Sequence, residues 1–417
     1  MNFIDIQKLK KFKNLNYDGI NYGKVIAARL YQNGFFEFIK LLILGLLYDP
    51  SFSYVNKNSD ILVSKNFNSQ KRKDYDFIHK TFLESLKEPN LIVFSRLFKP
   101  LLFPLNLFNF FQKYIKNKTL EISTIDKIKV ALLENYFLKL KHKLVKLESS
   151  SSLYVSFCDS YLEENLTAQY FNQQGQTTAS LQHGQYRLNN KGFEGTDSEA
   201  YLNFVSTYIF VWGIKTRQEF LKAGINSNRI IVTGALKPFT DNIKILNSKK
   251  VNSFIVFLNG ESHIQSNKGI LKIANEFAEE FNFDYVIKPH PMSPLGFYSK
   301  CTNKKFMGFV YDEYAIFNNY FALVHSSAVF LDLMVRKFPY FHLNDEYLDF
   351  VFKNDYNNFS NLSELSSLYH NLVVNNNYFT DKLKEEYKLF NEAANIVNAK
   401  LAYANAIRSI LKNGENE

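Results

Sequence analysis

Two kinds of hydrophobic spacing divide this chain. Up to about residue 148, apolar positions recur every three or four residues, as in 24–48, 73–86 and 125–147, which predicts helices. Ser149-Ser-Ser-Ser152 interrupts that pattern. Beyond it, short apolar runs alternate with amphipathic segments. Strands are predicted at 153–158, 177–182, 208–212 and 230–232, and helices at 163–173 and 218–223, with Gly175 and Gly224 placed to end them. A polar stretch, 237–251, separates a second series: strands at 253–258, 285–287, 309–310, 321–324 and 340–342, and helices at 269–281 and 328–337. One or two helices follow over 381–411. Strand–helix alternation implies parallel sheets, hence an α/β fold whose ligands sit beyond the carboxyl ends of the strands. The expected division is a mainly helical 1–148, α/β domains at 149–245 and 246–380, and closing helices at 381–417.

A chain of 417 residues is long enough for two cores. The 41 Phe and 26 Tyr are unusually many, and either an AT-rich genome or a functional surface explains them equally well. The formal charge of +10 is concentrated: between Arg96 and Lys146 eleven basic residues face three acidic ones. Such a patch attracts nucleic acid, anionic lipid or an anionic substrate. No stacking motif or zinc module supports nucleic acid as the partner. Residues 96–118 mix large apolar side chains with flanking lysines, which fits either an interfacial anchor on an anionic membrane or a buried helical subdomain with a basic outer face. Two cysteines, Cys158 and Cys301, exclude a disulfide framework and a Cys-rich zinc site. No signal-type apolar core follows the basic amino terminus, and the run 38–48 is too short to span a bilayer, so the chain is expected to be cytoplasmic or peripheral on the inner membrane face.

Five segments carry candidate chemistry, each just after an apolar run. Asp159, leaving the 153–158 strand, is a candidate general base if exposed, or a helix cap. His183, followed by Gly184, can take a proton from a hydroxyl near neutral pH. Phe257-Leu-Asn-Gly-Glu-Ser-His263 is a strand opening into a turn, in which Gly260, Ser262 and His263 can approach a phosphate; it lacks the spacing of a Walker loop or G-x-G-x-x-G. In Lys288-Pro-His-Pro291 two prolines stop the strand and hold His290 rigidly. Ser326 and Ser327 precede an amphipathic helix bearing Asp332, and place hydroxyls and free N–H groups where an anion is stabilised. The only Asp-x-Asp, Asp74-Tyr-Asp76, lies in a basic helical region rather than after a strand, and reads as a solvated face.

From about residue 180 onward the chain resembles the GT-B superfamily of glycosyltransferases, in particular the bacterial cell-envelope branches with cytidine-linked donors. These are the CDP-glycerol glycerophosphotransferases, the HP-motif sialyltransferases and the capsule-type Kdo transferases. The matching residues are Lys288-Pro-His-Pro291, Ser326-Ser327-Ala-Val-Phe-Leu-Asp332, Lys337-Phe-Pro-Tyr340 and Ile231-Val-Thr-Gly234. Two features differ: Leu323-Val-His325 stands where Thr-Asp-Tyr is usual, and no acidic-acidic-Gly motif is evident. The resemblance implies two Rossmann-like domains facing a cleft, with a helical N-terminal extension. It implies donor-phosphate contacts at His290, Ser326 and Ser327, with Lys288, Gly260, Ser262 and Asp332 nearby, and a base at His183 or Asp159. It further implies a nucleotide-sugar donor, a glycan or lipid-linked glycan acceptor, and no metal or other cofactor. A CDP-polyol phosphotransferase, a nucleotide-sugar 2-epimerase and a basic nucleic-acid-binding protein are the alternatives.

Overall fold

The strands of the computed structural model, in chain order, are β1 (Asn16–Tyr17), β2 (Ile20–Asn21), β3 (Tyr48–Val55), β4 (Ile61–Lys65), β5 (Asn90–Phe98), β6 (Leu153–Ser156), β7 (Thr177–Leu181), β8 (Tyr208–Val211), β9 (Ile230–Val232), β10 (Ser253–Phe257), β11 (Asp284–Lys288), β12 (Phe306–Phe309), β13 (Ala322–Val324), β14 (Tyr340–Leu343) and β15 (Asn358–Phe359). The structure describes residues 15–17, 19–30, 35–65, 73–147, 151–160, 162–184, 203–237, 252–260, 263–290, 295–311, 319–325, 327, 329–345, 354–393 and 395–414. They fall into two units: one runs through Pro238–Asn391, and the other is built from the preceding chain together with Glu392–Glu417.

The Pro238–Asn391 unit holds a six-stranded sheet in the order β12-β11-β10-β13-β14-β15, with every pairing parallel. Counted within the unit this is 3-2-1-4-5-6, the order of dinucleotide-binding sheets, and it reverses direction between β10 and β13. Both faces of such a sheet are covered, so its strands are continuous apolar runs; Phe254 to Leu258 and Phe321 to Val324 are all buried. Aromatic rings knit three neighbouring strands together. Phe254 stacks on Phe321 (5.1 Å between centroids) and on Tyr285 (5.4 Å), Phe277 meets Phe254 and Phe321 edge-on, and Phe283 meets Tyr369 edge-on. Part of the aromatic excess is therefore core.

The other unit holds a seven-stranded sheet, β3-β5-β4-β6-β7-β8-β9, parallel except for the edge pair β3–β5. The parallel strands run 2-1-3-4-5-6, with the reversal between β4 and β6. This corrects the mainly helical reading of 1–148. Helices do form at Tyr22–Leu30, Phe35–Leu47, Lys73–Glu84, Phe103–Lys116 and Thr124–Val145, but β3, β4 and β5 also lie there. The sheet crosses residue 148, since Ile61 pairs with Leu153 and Val63 with Val155. Gly234, at φ +88°, has no room for a side chain: a β-carbon there would sit 2.2 Å from that of Ala393. Of the closing helices, Asn376–Phe390 belongs to the first unit and Ile396–Gly414 to the second.

Candidate functional site

In the Pro238–Asn391 unit the strand order reverses between β10 and β13, the position at which such sheets take their ligands. The chain leaves β10 at Leu258-Asn259-Gly260. Leu258 N–H still donates to the Lys288 carbonyl (3.0 Å), and Asn259 Oδ1 accepts from Gly260 N–H (2.8 Å), which turns the backbone. His290, leaving β11 after Pro289, is exposed and lies over this turn: a β-carbon built on Gly260 would stand 3.5 Å from its Nδ1. The structure thus brings Gly260 and His290 together. His263 opens the helix Ile264–Glu280, its N–H donating to the Gly260 carbonyl (3.0 Å).

Beneath the turn is a polar cluster that sequence reasoning missed. Asn267, fully buried, accepts Asn259 N–H on Oδ1 (3.0 Å) and donates from Nδ2 to the Asn259 carbonyl (2.9 Å) and the Tyr298 hydroxyl (2.6 Å). A backbone N–H can only donate, so Oδ1 must face Asn259. His325 Nε2, 2.6 Å from that same oxygen, is therefore the protonated nitrogen. Its Nδ1 faces Asp345 Oδ2 at 3.6 Å. The His263 and His325 rings are 6.0 Å apart. Asn267 and His325 thereby tie the turn after β10 to the end of β13. A polar residue on the apolar face of the 264–280 helix, among Ile270, Leu271 and Ala274, was the available signal, because a buried carboxamide requires partners.

The other predicted residues fare differently. Ser327 is half-buried; its N–H turns back to the His325 carbonyl and its Oγ accepts from Val329 N–H at 3.4 Å, so it caps the following helix. That helix, Val329–Val335, has seven residues instead of the ten predicted. Asp332 lies half-buried in its first turn. Lys288 reaches the Tyr311 carbonyl (3.2 Å) at the end of β12. Ser262 and Ser326 lie outside the described residues.

In the other unit, β7 ends at Gln182-His183-Gly184. Gln182 is a clamp: Oε1 accepts Trp212 N–H (2.7 Å), Nε2 donates to the Gly184 carbonyl (2.8 Å), and its own carbonyl accepts the indole N–H (3.0 Å). His183, held by its neighbour, packs its ring 5.0 Å from both Tyr75 and Phe157 and is 8% exposed. The exposed base expected at Asp159 is not there. Asp159 is buried, and its Oδ2 accepts Val205 N–H (3.1 Å) and Ser206 N–H (2.6 Å). Burial pushes its carboxyl above the ordinary value against the downward pull of Ser206 and Val205. Asp76 is held at 2.7 Å by both Lys65 and Lys80, which keep its carboxyl down at about 2. Among the described residues no group of three or more His, Cys, Asp or Glu is arranged to hold a metal ion.

No protein-family model matches the chain, and no curated protein matches it by sequence. Solved structures do match. MnaA of S. aureus, solved with UDP, is 13% identical over 84% of this chain and 96% of its own, at a TM-score of 0.51. A candidate UDP-N-acetylglucosamine 2-epimerase from Listeria monocytogenes is 12% identical over 87% and 98%, also at 0.51. A glycosyltransferase from Rickettsia africae is 11% identical over 86% and 100%, at 0.48. At these identities the likeness defines the fold: two α/β units with parallel sheets, the GT-B architecture.

Proposed function

We propose that the chain is a nucleotide-sugar enzyme and that the Pro238–Asn391 unit holds the nucleotide at the β10–β13 reversal. The observation that carries this reading is the convergence there of a 3-2-1-4-5-6 sheet, the Asn259-Gly260 turn and His290 over that turn. The finer reading is a metal-independent inverting glycosyltransferase with a CMP- or CDP-linked donor. It would build a bacterial cell-surface polysaccharide on a glycan or lipid-linked glycan at the inner face of the membrane. A base takes the proton of the acceptor hydroxyl, whose oxygen attacks the activated carbon. The carbon–oxygen bond to the nucleotide breaks, and the electron pair leaves on phosphate, met by His290, Ser326, Ser327 and backbone N–H groups. His183 is preferred to Asp159 because the Asp159 carboxylate is already bound to two backbone amides.

The test is thermal shift with CMP, CDP, UDP, UMP and GDP. A ligand at one hundred times its Kd stabilises the folded state by about 2.7 kcal/mol. The largest shift is expected with a cytidine nucleotide and should be lost in His290→Ala. A purine preference, or no response to any nucleotide, would refute the reading. The second reading is a nucleotide-sugar 2-epimerase, which the fold and the UDP bound to MnaA favour. Incubation with UDP-N-acetylglucosamine alone separates the two, because an epimerase converts it without an acceptor.

A further inference from the structure

The helix Phe103–Lys116 is apolar on both sides. Asn106 and Phe110 are buried, and Phe110 packs with Ala131 and Leu132 of the Thr124–Val145 helix. The opposite side should then be polar, as on any helix covering a water-soluble core. Instead Leu105, Phe108, Phe111 and Ile115 are each more than half exposed, and Leu101, just before the helix, is 94% exposed. At about 100° per residue these five positions fall within an arc of about 120°. Phe35 and Phe36, on the neighbouring Phe35–Leu47 helix, are exposed as well.

The charge around this stripe identifies what covers it. From Asn90 to Leu120 there is no Asp or Glu, against five basic residues. Arg96 and Lys99 are engaged with Glu163 (3.0 Å) and Asp49 (3.1 Å). Lys113, Lys116 and Lys118 border the carboxyl end of the stripe. A second copy of the chain is a poor occupant. A two-fold pair sets the same patch against itself, and here that would bring two segments together that carry five basic residues each and no carboxylate between Asn90 and Leu120. A lipid surface has no such conflict: acyl chains accept the leucine and phenylalanine side chains while anionic headgroups accept the ammonium groups. We propose that this face docks on a bilayer carrying anionic lipid, with the helix lying in the interfacial plane. Among the described residues no helix is long and apolar enough to cross a membrane, so the contact is peripheral.

Flotation of the full-length protein tests this, with phosphatidylcholine vesicles and with phosphatidylcholine–phosphatidylglycerol vesicles. Binding is expected to the mixed vesicles, weaker to the neutral ones, and reduced by high salt. Leu105→Ser/Phe108→Ser/Phe111→Ser should abolish flotation in both. Lys113→Gln/Lys116→Gln/Lys118→Gln should weaken binding to the mixed vesicles by about 100-fold, at roughly fivefold per lysine, and leave the neutral ones unchanged. Circular dichroism melts check that both variants fold, and the lysine variant carries the test if the serine variant does not. Failure of wild type to float with the mixed vesicles overturns the proposal, as does equal flotation of both triple variants. A wild-type dimer by light scattering that Phe108→Ser dissociates also overturns it. The nucleotide-induced thermal shift is read in the same preparations, so loss of the docking claim and loss of the nucleotide reading are separate results.

Discussion

Asn267→Ala removes the carboxamide that joins the turn after β10 to the end of β13. Four hydrogen bonds go with it: from Asn259 N–H, to the Asn259 carbonyl, to the Tyr298 hydroxyl, and from His325 Nε2. A net contribution of about 1 kcal/mol for each gives about 4 kcal/mol. Alanine is the better helix former by about 0.6 kcal/mol, which offsets part of the loss and leaves about 3 kcal/mol. At about 2–4 °C per kcal/mol for a unit of this size, its Tm should fall by about 6–12 °C. The one tryptophan, Trp212, lies in the other unit and does not report on the change. Circular dichroism melts and hydrogen exchange of peptides from β10 and β11 do, the latter by showing lost protection at Asn259. A double-mutant cycle with His325→Ala should give a coupling of about 1–2 kcal/mol, because the two side chains share a bond. The nucleotide-induced shift should also shrink, since the turn proposed to meet the phosphate is no longer held. Stability within about 1 kcal/mol of wild type, with unchanged exchange at Asn259, would show that water replaces the carboxamide and that the link does not organise the turn.

Three further outcomes are expected. Burial holds His79 down at about 4 against the opposing bond to the Ser64 carbonyl, so the unfolded chain, at 6.5, binds its proton first. Stability present above pH 6.5 is therefore lost as pH falls toward 4, by about 3 kcal/mol, and urea titrations of His79→Gln should show a shallower acid slope than wild type. Burial pushes the Cys158 thiol up to about 12, so iodoacetamide at mildly alkaline pH should label half-buried Cys301 and spare Cys158 in the native protein; equal rates by mass spectrometry would contradict this. Gln182→Ala takes away the acceptor of Trp212 N–H, and should cost about 2 kcal/mol and shift the emission of the buried tryptophan to the red; unchanged emission and stability would show that the clamp is dispensable.

What could be read from the chain follows from where each interaction is encoded. Parallel strands buried on both faces are continuous apolar runs with abrupt ends. β6, β7, β10 and β13 therefore match their predictions to within a residue or two. The N-terminal strands gave no such signal. The helix Phe35–Leu47 passes into β3 at Tyr48 with no glycine or cap between them, so the spacing predicts one helix over 24–48. β3 carries Pro50, tolerated because this is an edge strand, and β4 offers only three apolar residues before Ser64. β5 does alternate, with Asn90, Ile92 and Phe94 buried, but the basic, aromatic segment that follows obscured its period.

The same division runs through the candidate site. Gly260 and His290 could be found because each is a local event, a turn residue or a proline pair where an apolar run stops. The link between Asn267 and His325 could not, because it depends on β13 lying beside β10. That adjacency belongs to the order of strands, and no window of sequence contains it. Asn267 and His325 are 58 positions apart and meet only because the sheet reverses direction between them. The reversal is thus also what assembles the polar support beneath the turn. A substitution that disturbs the packing of β13 on β10 should loosen the Asn259-Gly260 turn without touching a residue of that turn.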